Sequence, residues 1–306
     1  MASLREIRRK IQSVKSTQQI TRAMKMVAAA RMRKAQNAIL SSRPFAAKLE
    51  ETVRELALLE VQADKLAGRV VQIHEFFDEP KADDSACLVL VTSDKGLCGA
   101  FNTAVQRAAL AWFHRNQGKK LSVVLVGKKG RDLVRRLHDF HPHCLEECVG
   151  IFPKVTFAHA ELIGKPIIDG FMRGDFATVT MIYNEFKSVV SQRVVQPRLL
   201  PIAAPELAED EAGSPAAANP YGFHFEPDRQ TLLAGLLPRY IKAQLFRVLL
   251  ESQAAELAAR MNAMDSATKN AGELLETLTL NMNRSRQAII TGEIAELVGG
   301  AEALKA

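Results

Sequence analysis

The chain has 306 residues, 47% of them hydrophobic, which is enough for one large domain or two small ones with a sizeable core. No apolar run approaches ~18 residues and no hydrophobic stretch follows the basic start, so neither a membrane span nor a secretory signal is expected. A formal net charge of +7 points to acidic partners: nucleic acid, an anionic membrane or an acidic protein surface.

Residues 1–59 are expected to form one long helix. From Ala28 onward the small and apolar residues run Ala28, Met32, Ala35, Ile39, Ser42, Ala46, Leu49, Val53 and Leu56. These alternating steps of four and three define a heptad seam that seeks a second helix. An earlier seam of Leu4, Ile7, Ile11 and Val14 is expected to fall out of phase at Lys15–Gln19, loosening the pairing and leaving polar groups near it. Pro44 predicts a kink or local break.

The basic residues concentrate at its start, where residues 1–34 carry Arg5, Arg8, Arg9, Lys10, Lys15, Arg22, Lys25, Arg31, Arg33 and Lys34 against a single acid, Glu6. Such a helix reads as a solvated coiled-coil face, an arm for nucleic acid or a face for an acidic protein. No aromatic residue lies in the first forty positions, which disfavours stacking on single-stranded nucleic acid.

The period changes over residues 70–204. Cys87–Thr92, Leu121–Val126 and Phe176–Tyr183 are short runs rich in β-branched residues, with Arg193–Leu200 as a fourth candidate. Helical patterns at Thr103–Asn116, Lys129–His138 and Ala158–Met172 lie between them. Strand–helix alternation predicts an α/β sheet of mainly parallel strands, inserted between two long helices.

The turn Ser93–Asn102 follows the first strand, where a phosphate cradle would stand. Its glycines, Gly96 and Gly99, do not fit a dinucleotide fingerprint and no phosphate-binding loop motif occurs elsewhere, so a tight structural turn is the better reading. The basic turn Gly127–Gly130 reads as solvated. His138, His141 and His143 with Cys144 and Cys148 match no zinc module, and a Cys144/Cys148 redox pair has no better support. The four cysteines, which include Cys87 and Cys98, suit a reducing compartment. No nucleophile–base or paired-carboxylate arrangement stands out, so no catalytic residue, metal or cofactor is expected.

Residues 205–230 form a loop and connection: Glu206, Glu209, Asp210 and Glu211, then Pro- and Ala-rich sequence, with Tyr221, Phe223 and Phe225 expected to be packed down. Residues 231–304 then read as a second long helix. Its seam runs Leu257, Met261, Met264, Thr268, Ala271, Leu275, Leu278, Met282, Ser285 and Ile289, weakened only at Gly272 and Gly292. A helix from Leu232 to Leu297 would be on the order of 100 Å long, too long for a compact domain without a partner.

Three motifs carry a family resemblance: Ile7–Ala30 continuing to Gln36, Ser93–Asn102, and Arg260–Ala271 followed by Asn283–Val298. Together they resemble the gamma subunit of F-type ATP synthase, the central rotor shaft, over the whole chain. The resemblance implies an antiparallel left-handed coiled coil of the two terminal helices with an inserted Rossmann-like domain that binds no dinucleotide. It implies a single copy standing in a hexamer of alternating alpha and beta subunits, with a foot on the c-ring beside the epsilon subunit. The chain itself would be non-catalytic and would bind no nucleic acid. It would lie peripherally on the cytoplasmic face of the cell membrane, coupling ion-driven rotation to the beta subunits' chemistry.

Residue by residue, the resemblance places Arg286, Gln287 and Thr291 at a polar catch against beta, with Met24, Lys25 and Arg260 in the same region. Arg31 and Arg33 are further candidates to face acidic beta surfaces. Ile289, Ile290, Ile294, Leu297 and Val298 would form an apolar tip in the upper bearing, although ordinary coiled-coil core explains the same residues. Phe225 and Glu226 would belong to the foot. Photosynthetic members carry a redox-switched cysteine pair before the last helix; Pro205–Pro220 has no cysteine, so no such switch is expected there. The rival readings are a basic coiled-coil nucleic-acid protein, with steeply salt-dependent binding, and an α/β nucleotide-binding enzyme.

Overall fold

A computed structural model describes residues 4–68, 70–71, 73–78, 84–137, 139–152, 154–203, 226 and 228–303. Two long helices, α1 (Leu4–Leu66) and α5 (Arg229–Ala303), flank a central α/β sheet in the chain. The residues group into two compact units, one of Arg31–Ala259 and one of Met1–Ala30 with Arg260–Ala306.

In the larger unit, β1 (Ser85–Val91), α2 (Phe101–Arg115), β2 (Lys120–Val126), α3 (Lys128–Val134), β3 (His143–Cys148), α4 (Phe157–Met172) and β4 (Thr178–Phe186) alternate, followed by β5 (Gln192–Val195) and β6 (Arg198–Leu200). The sheet order is β3-β2-β1-β4-β5, with β6 also on β4. The first four strands run parallel, while β5 and β6 pair antiparallel to β4. The order β3-β2-β1-β4 is that of half a doubly wound nucleotide-binding fold.

The apolar runs are buried on both faces, as parallel strands between helices must be. On β1, Cys87, Val89 and Val91 face one core and Ala86, Leu88 and Leu90 the other. The first core is closed by Val53 and Leu56 of α1, by Ile163 and Ile167 of α4, and by Leu233, Leu237, Ile241 and Leu245 of α5. The second is closed by Val105, Ala109, Trp112 and Phe113 of α2. The helix ends of this unit run antiparallel: Glu60 of α1 meets Arg229 of α5, with 3.0 Å between carboxylate and guanidinium.

Several expectations are corrected. The run at 193–200 is two short strands, because Pro197 has no N–H for a ladder and instead offers its carbonyl to the Met181 N–H at 2.9 Å. Strand β3 has no counterpart among the expected elements; it is a polar edge strand, and its cysteines lie toward its two ends. Cys144 is exposed and Cys148 buried. At about 3.3 Å per residue they are roughly 13 Å apart, beyond disulfide reach, so a redox pair between them is excluded.

The helical run of α1 continues through Pro44 without interruption. Helix α3 stops at Val134; His138 lies outside the described residues, as do Phe225, Tyr221, Phe223 and the loop at 204–220. Among the described residues no helix is long and apolar enough to cross a membrane, and no three His, Cys, Asp or Glu side chains gather as metal ligands.

Candidate functional site

The smaller unit is built from the first part of α1 and the last part of α5. The seam of α1 does not slip at Lys15–Gln19. Leu4, Ile7, Ile11, Val14, Gln18, Thr21, Lys25 and Ala28 are all turned from solvent, in one unbroken phase with Met24 and Ala29 beside it, so the expected break is corrected to a polar stretch inside a regular seam. On α5 the expected heptad positions Met261, Met264, Thr268, Ala271, Leu275, Leu278, Met282 and Ser285 are all shielded, Met264 and Ala271 most deeply.

The contacts between them give the direction. Thr21 meets Thr268, and Lys25, farther along α1, meets Asp265, earlier on α5, so the helices run antiparallel. The Thr21 and Thr268 hydroxyls lie 2.8 Å apart. Thr21 also reaches the Gln18 carbonyl at 3.0 Å and Thr268 the Met264 carbonyl at 2.7 Å. Whichever hydroxyl donates to the other, the chain of bonds ends on a backbone carbonyl, and both part-buried hydroxyls are satisfied.

The Gln18 amide makes a long 3.5 Å contact to the Thr268 carbonyl. A Cβ on Gly272 would stand 3.2 Å from that amide nitrogen, so the glycine leaves room for it. One turn on, the Asp265 carboxylate accepts from Lys25 at 2.5 Å and from Lys269 at 3.1 Å. The bonds from Lys25 and then Lys269 hold the Asp265 carboxyl below its usual range.

Beyond Ser285 every residue of α5 from Arg286 to Gly300 is exposed. That exposed length carries Arg286, Gln287 and Thr291 together with Ile289, Ile290, Ile294, Leu297 and Val298, the last five at 46–74% exposure. Met24 and Arg260 are half-buried. Arg260 and Gln287 are roughly 40 Å apart along α5, at about 1.5 Å per residue. The residues grouped with the catch therefore occupy separate levels of the helix pair and form no single cluster. Lys25 is engaged by Asp265, an interaction that only the register of the two helices reveals. Arg31 and Arg33, in the other unit, are exposed on α1. Glu226 is exposed, and its neighbour Phe225 lies outside the described residues.

The turn Ser93–Asn102, where a cofactor would bind in a nucleotide enzyme, is filled by its own side chains. The Asn102 amide accepts from the Ser93 N–H at 3.0 Å and donates to the Ser93 hydroxyl at 2.8 Å. The Asp94 carboxylate takes the N–H groups of Lys128 and Gly150, each at 3.1 Å. Cys98 and Phe101 pack on Ala255 of α5. This loop is a joint between sheet and helix.

A family model described as ATP synthase matches residues 3–304. The chain is 45% identical over 305 residues to the ATP synthase gamma chain of Elusimicrobium minutum (strain Pei191), covering 99% of each. It is 41% identical over 309 residues to the gamma chain of Anaeromyxobacter sp. (strain K), covering all of both. Among solved structures it resembles a chain of the Tetrahymena thermophila mitochondrial ATP synthase central stalk and c-ring, with a TM-score of 0.58 and 28% identity, covering 81% of this chain and 99% of that one. A chain of the Euglena gracilis mitochondrial ATP synthase matches at a TM-score of 0.61 and 17% identity, covering 98% and 94%, a likeness of fold alone.

Proposed function

The chain belongs to the ATP synthase gamma-chain family, and from that premise we propose how it works as the central stalk of the rotor. The paired parts of α1 and α5 stand within the hexamer of alpha and beta subunits, one copy to each complex. The α/β unit and the connection at 205–230 form the foot on the c-ring, beside epsilon. The chain is non-catalytic; ATP synthesis and hydrolysis belong to the beta subunits. It lies peripherally on the cytoplasmic face of the cell membrane, and ion flow through the membrane sector turns it.

The observation that carries this reading is the division of α5 at Ser285, between a shielded seam and an exposed end. A seam packed along one helix pair carries torque, because neither helix can turn without the other. The exposed end presents polar and apolar side chains together, as a surface turning inside a sleeve requires. Arg286, Gln287 and Thr291 act there as the catch that engages beta in certain orientations, and Ile289, Ile290, Ile294, Leu297 and Val298 as the sliding surface of the upper bearing. Met24, Lys25 and Arg260 face the lower levels of the sleeve, and Phe225 and Glu226 belong to the foot. The self-filled turn at Ser93–Asn102 favours this reading over a nucleotide enzyme.

The deciding experiment mixes the chain with purified alpha and beta subunits and weighs the complex by light scattering. One copy per hexamer, with ATP hydrolysis by the complex and none by the chain alone, is the expected result. A chain that stays alone yet binds nucleotide or DNA would overturn it.

A further inference from the structure

The apolar seam of the smaller unit has a weakness: it repeats. A displacement of α5 by one heptad, about 10 Å along its axis, would bring apolar and small residues back against apolar and small residues. Leu275 opposite Val14 would give way to Met282, a residue of similar volume, and packing alone separates such alternatives poorly. The polar stretch is the one part of the seam that does not repeat.

The geometry points to Gln18, Thr21 and Thr268, with the Lys25–Asp265 pair, as positioning residues that set the register of α1 against α5. They thereby set the height at which Arg286, Gln287 and Thr291 stand. A slip of one heptad in the direction of Met282 would put Thr21 against Leu275 and Thr268 against Ala28. Both hydroxyls would lose their mutual bond, and Gln18 would lose the space that Gly272 leaves for it. Lys25 would arrive opposite Gly272 in place of Asp265, and the opposite slip would bring it to Ala258. A single buried polar position is known to fix register in helix pairs at some cost in stability, and here hydroxyl, amide and ion pair lie within two turns of one another. The functional consequence, misplacement of the catch, rests on the shaft reading; the register itself does not.

The test uses the full chain, with Cys144→Ser to remove the exposed thiol, alone and in complex with alpha and beta subunits. Val14→Cys is combined either with Leu275→Cys, which reports the native register, or with Met282→Cys, which reports the slipped one. Without further change only the first pair is expected to cross-link; efficient cross-linking of the second instead would overturn the register itself. Adding Gln18→Leu, Thr21→Val and Thr268→Val keeps the helices apolar and able to pair. The slipped cross-link should then rise by on the order of tenfold, the scale of one unmade buried hydrogen bond. In the whole enzyme with its membrane sector, reconstituted in vesicles, ATP-driven ion pumping per ATP hydrolysed should fall in parallel. A triple variant that cross-links only in the native register would overturn the inference. If the slipped cross-link rises but the unmodified complex shows no chain-dependent ATP hydrolysis, the shaft reading fails and the register role stands.

Discussion

Tyr183 on β4 and the Glu251 carboxylate on α5 lie close enough inside the larger unit for each to act on the other's titration, so sheet and C-terminal helix are electrostatically linked there. Burial raises the Glu251 pKa above its ordinary 4.5, and the Arg247 guanidinium, 3.9 Å away, offsets this only in part. Glu185 adds a further push upward. The folded chain thus holds this proton more tightly than the unfolded one. Its contribution is fully present below the unfolded pKa and is lost as pH rises through the folded value. Glu251→Gln keeps the size and polarity of the side chain and removes the titration. Urea midpoints measured upward from about pH 4 should fall with pH less steeply in this variant than in the unmodified chain, and equal slopes would refute the assignment.

The Glu60–Arg229 pair closes α1 on α5 at the other end of that unit, with Glu60 nearly buried and Arg229 about a third exposed. Removing the cation alone strands a carboxylate in the core. Arg229→Met should cost about 3 kcal/mol in unfolding free energy, and Glu60→Leu with Arg229→Met together much less. Guanidinium unfolding of the three chains measures the difference. An additive double variant would mean the two side chains are not coupled.

Gly127 has a φ of 86°, and a Cβ built on it would lie 2.2 Å from the Thr92 carbonyl oxygen. Both backbone strain and collision oppose any side chain there. Gly127→Ala should therefore cost about 3 kcal/mol or more, while Gly96→Ala, whose Cβ meets nothing within 4 Å, should stay within about 0.5 kcal/mol. Thermal unfolding of the two variants provides the comparison; similar melting points would show that the β2–α3 turn relaxes freely.

Gln287 and Thr291 are exposed on α5, so truncating them removes no packing within the chain. Gln287→Ala with Thr291→Ala should leave the unfolding free energy within about 0.5 kcal/mol. In the assembled complex the same variant should lower ATP hydrolysis on the order of tenfold, the scale of a lost polar contact made only in certain orientations. Unchanged hydrolysis would remove both residues from the catch.

The elements with a strong period are legible in the sequence. The seam from Leu257 to Ser285 and the strands containing Cys87–Val91 and Val123–Val126 are read from spacing alone, since burial on one stripe or on both sheet faces leaves that pattern. The edge strand β3 is hidden because it has one neighbour, half-solvated side chains and the polar sequence His-Cys-Leu-Glu-Glu-Cys. Lys15–Gln19 reads as a break because an apolar criterion cannot see that polar Gln18, and Thr21 after it, keep the phase. Their pairing with Thr268, like that of Lys25 with Asp265, joins positions some 240 to 250 residues apart and becomes visible only when the two helices are laid side by side. The exposed end of α5 is the converse case. Its isoleucines and leucine fit a core on spacing, and only the absence of shielding after Ser285 separates them from one.

Of the four thiols, three are enclosed and Cys144 alone meets solvent, on the outer strand of the sheet. Burial and the nearby Glu147 raise its pKa, so it reacts sluggishly near neutrality and faster in mild alkali. The chain therefore comes with a single natural attachment point. A maleimide-linked bead or fluorophore would reach it without cysteine engineering, on a unit whose core leaves the tether little room to swing. Watching that tether step as ATP is consumed would turn an unremarked thiol into the hand of the clock.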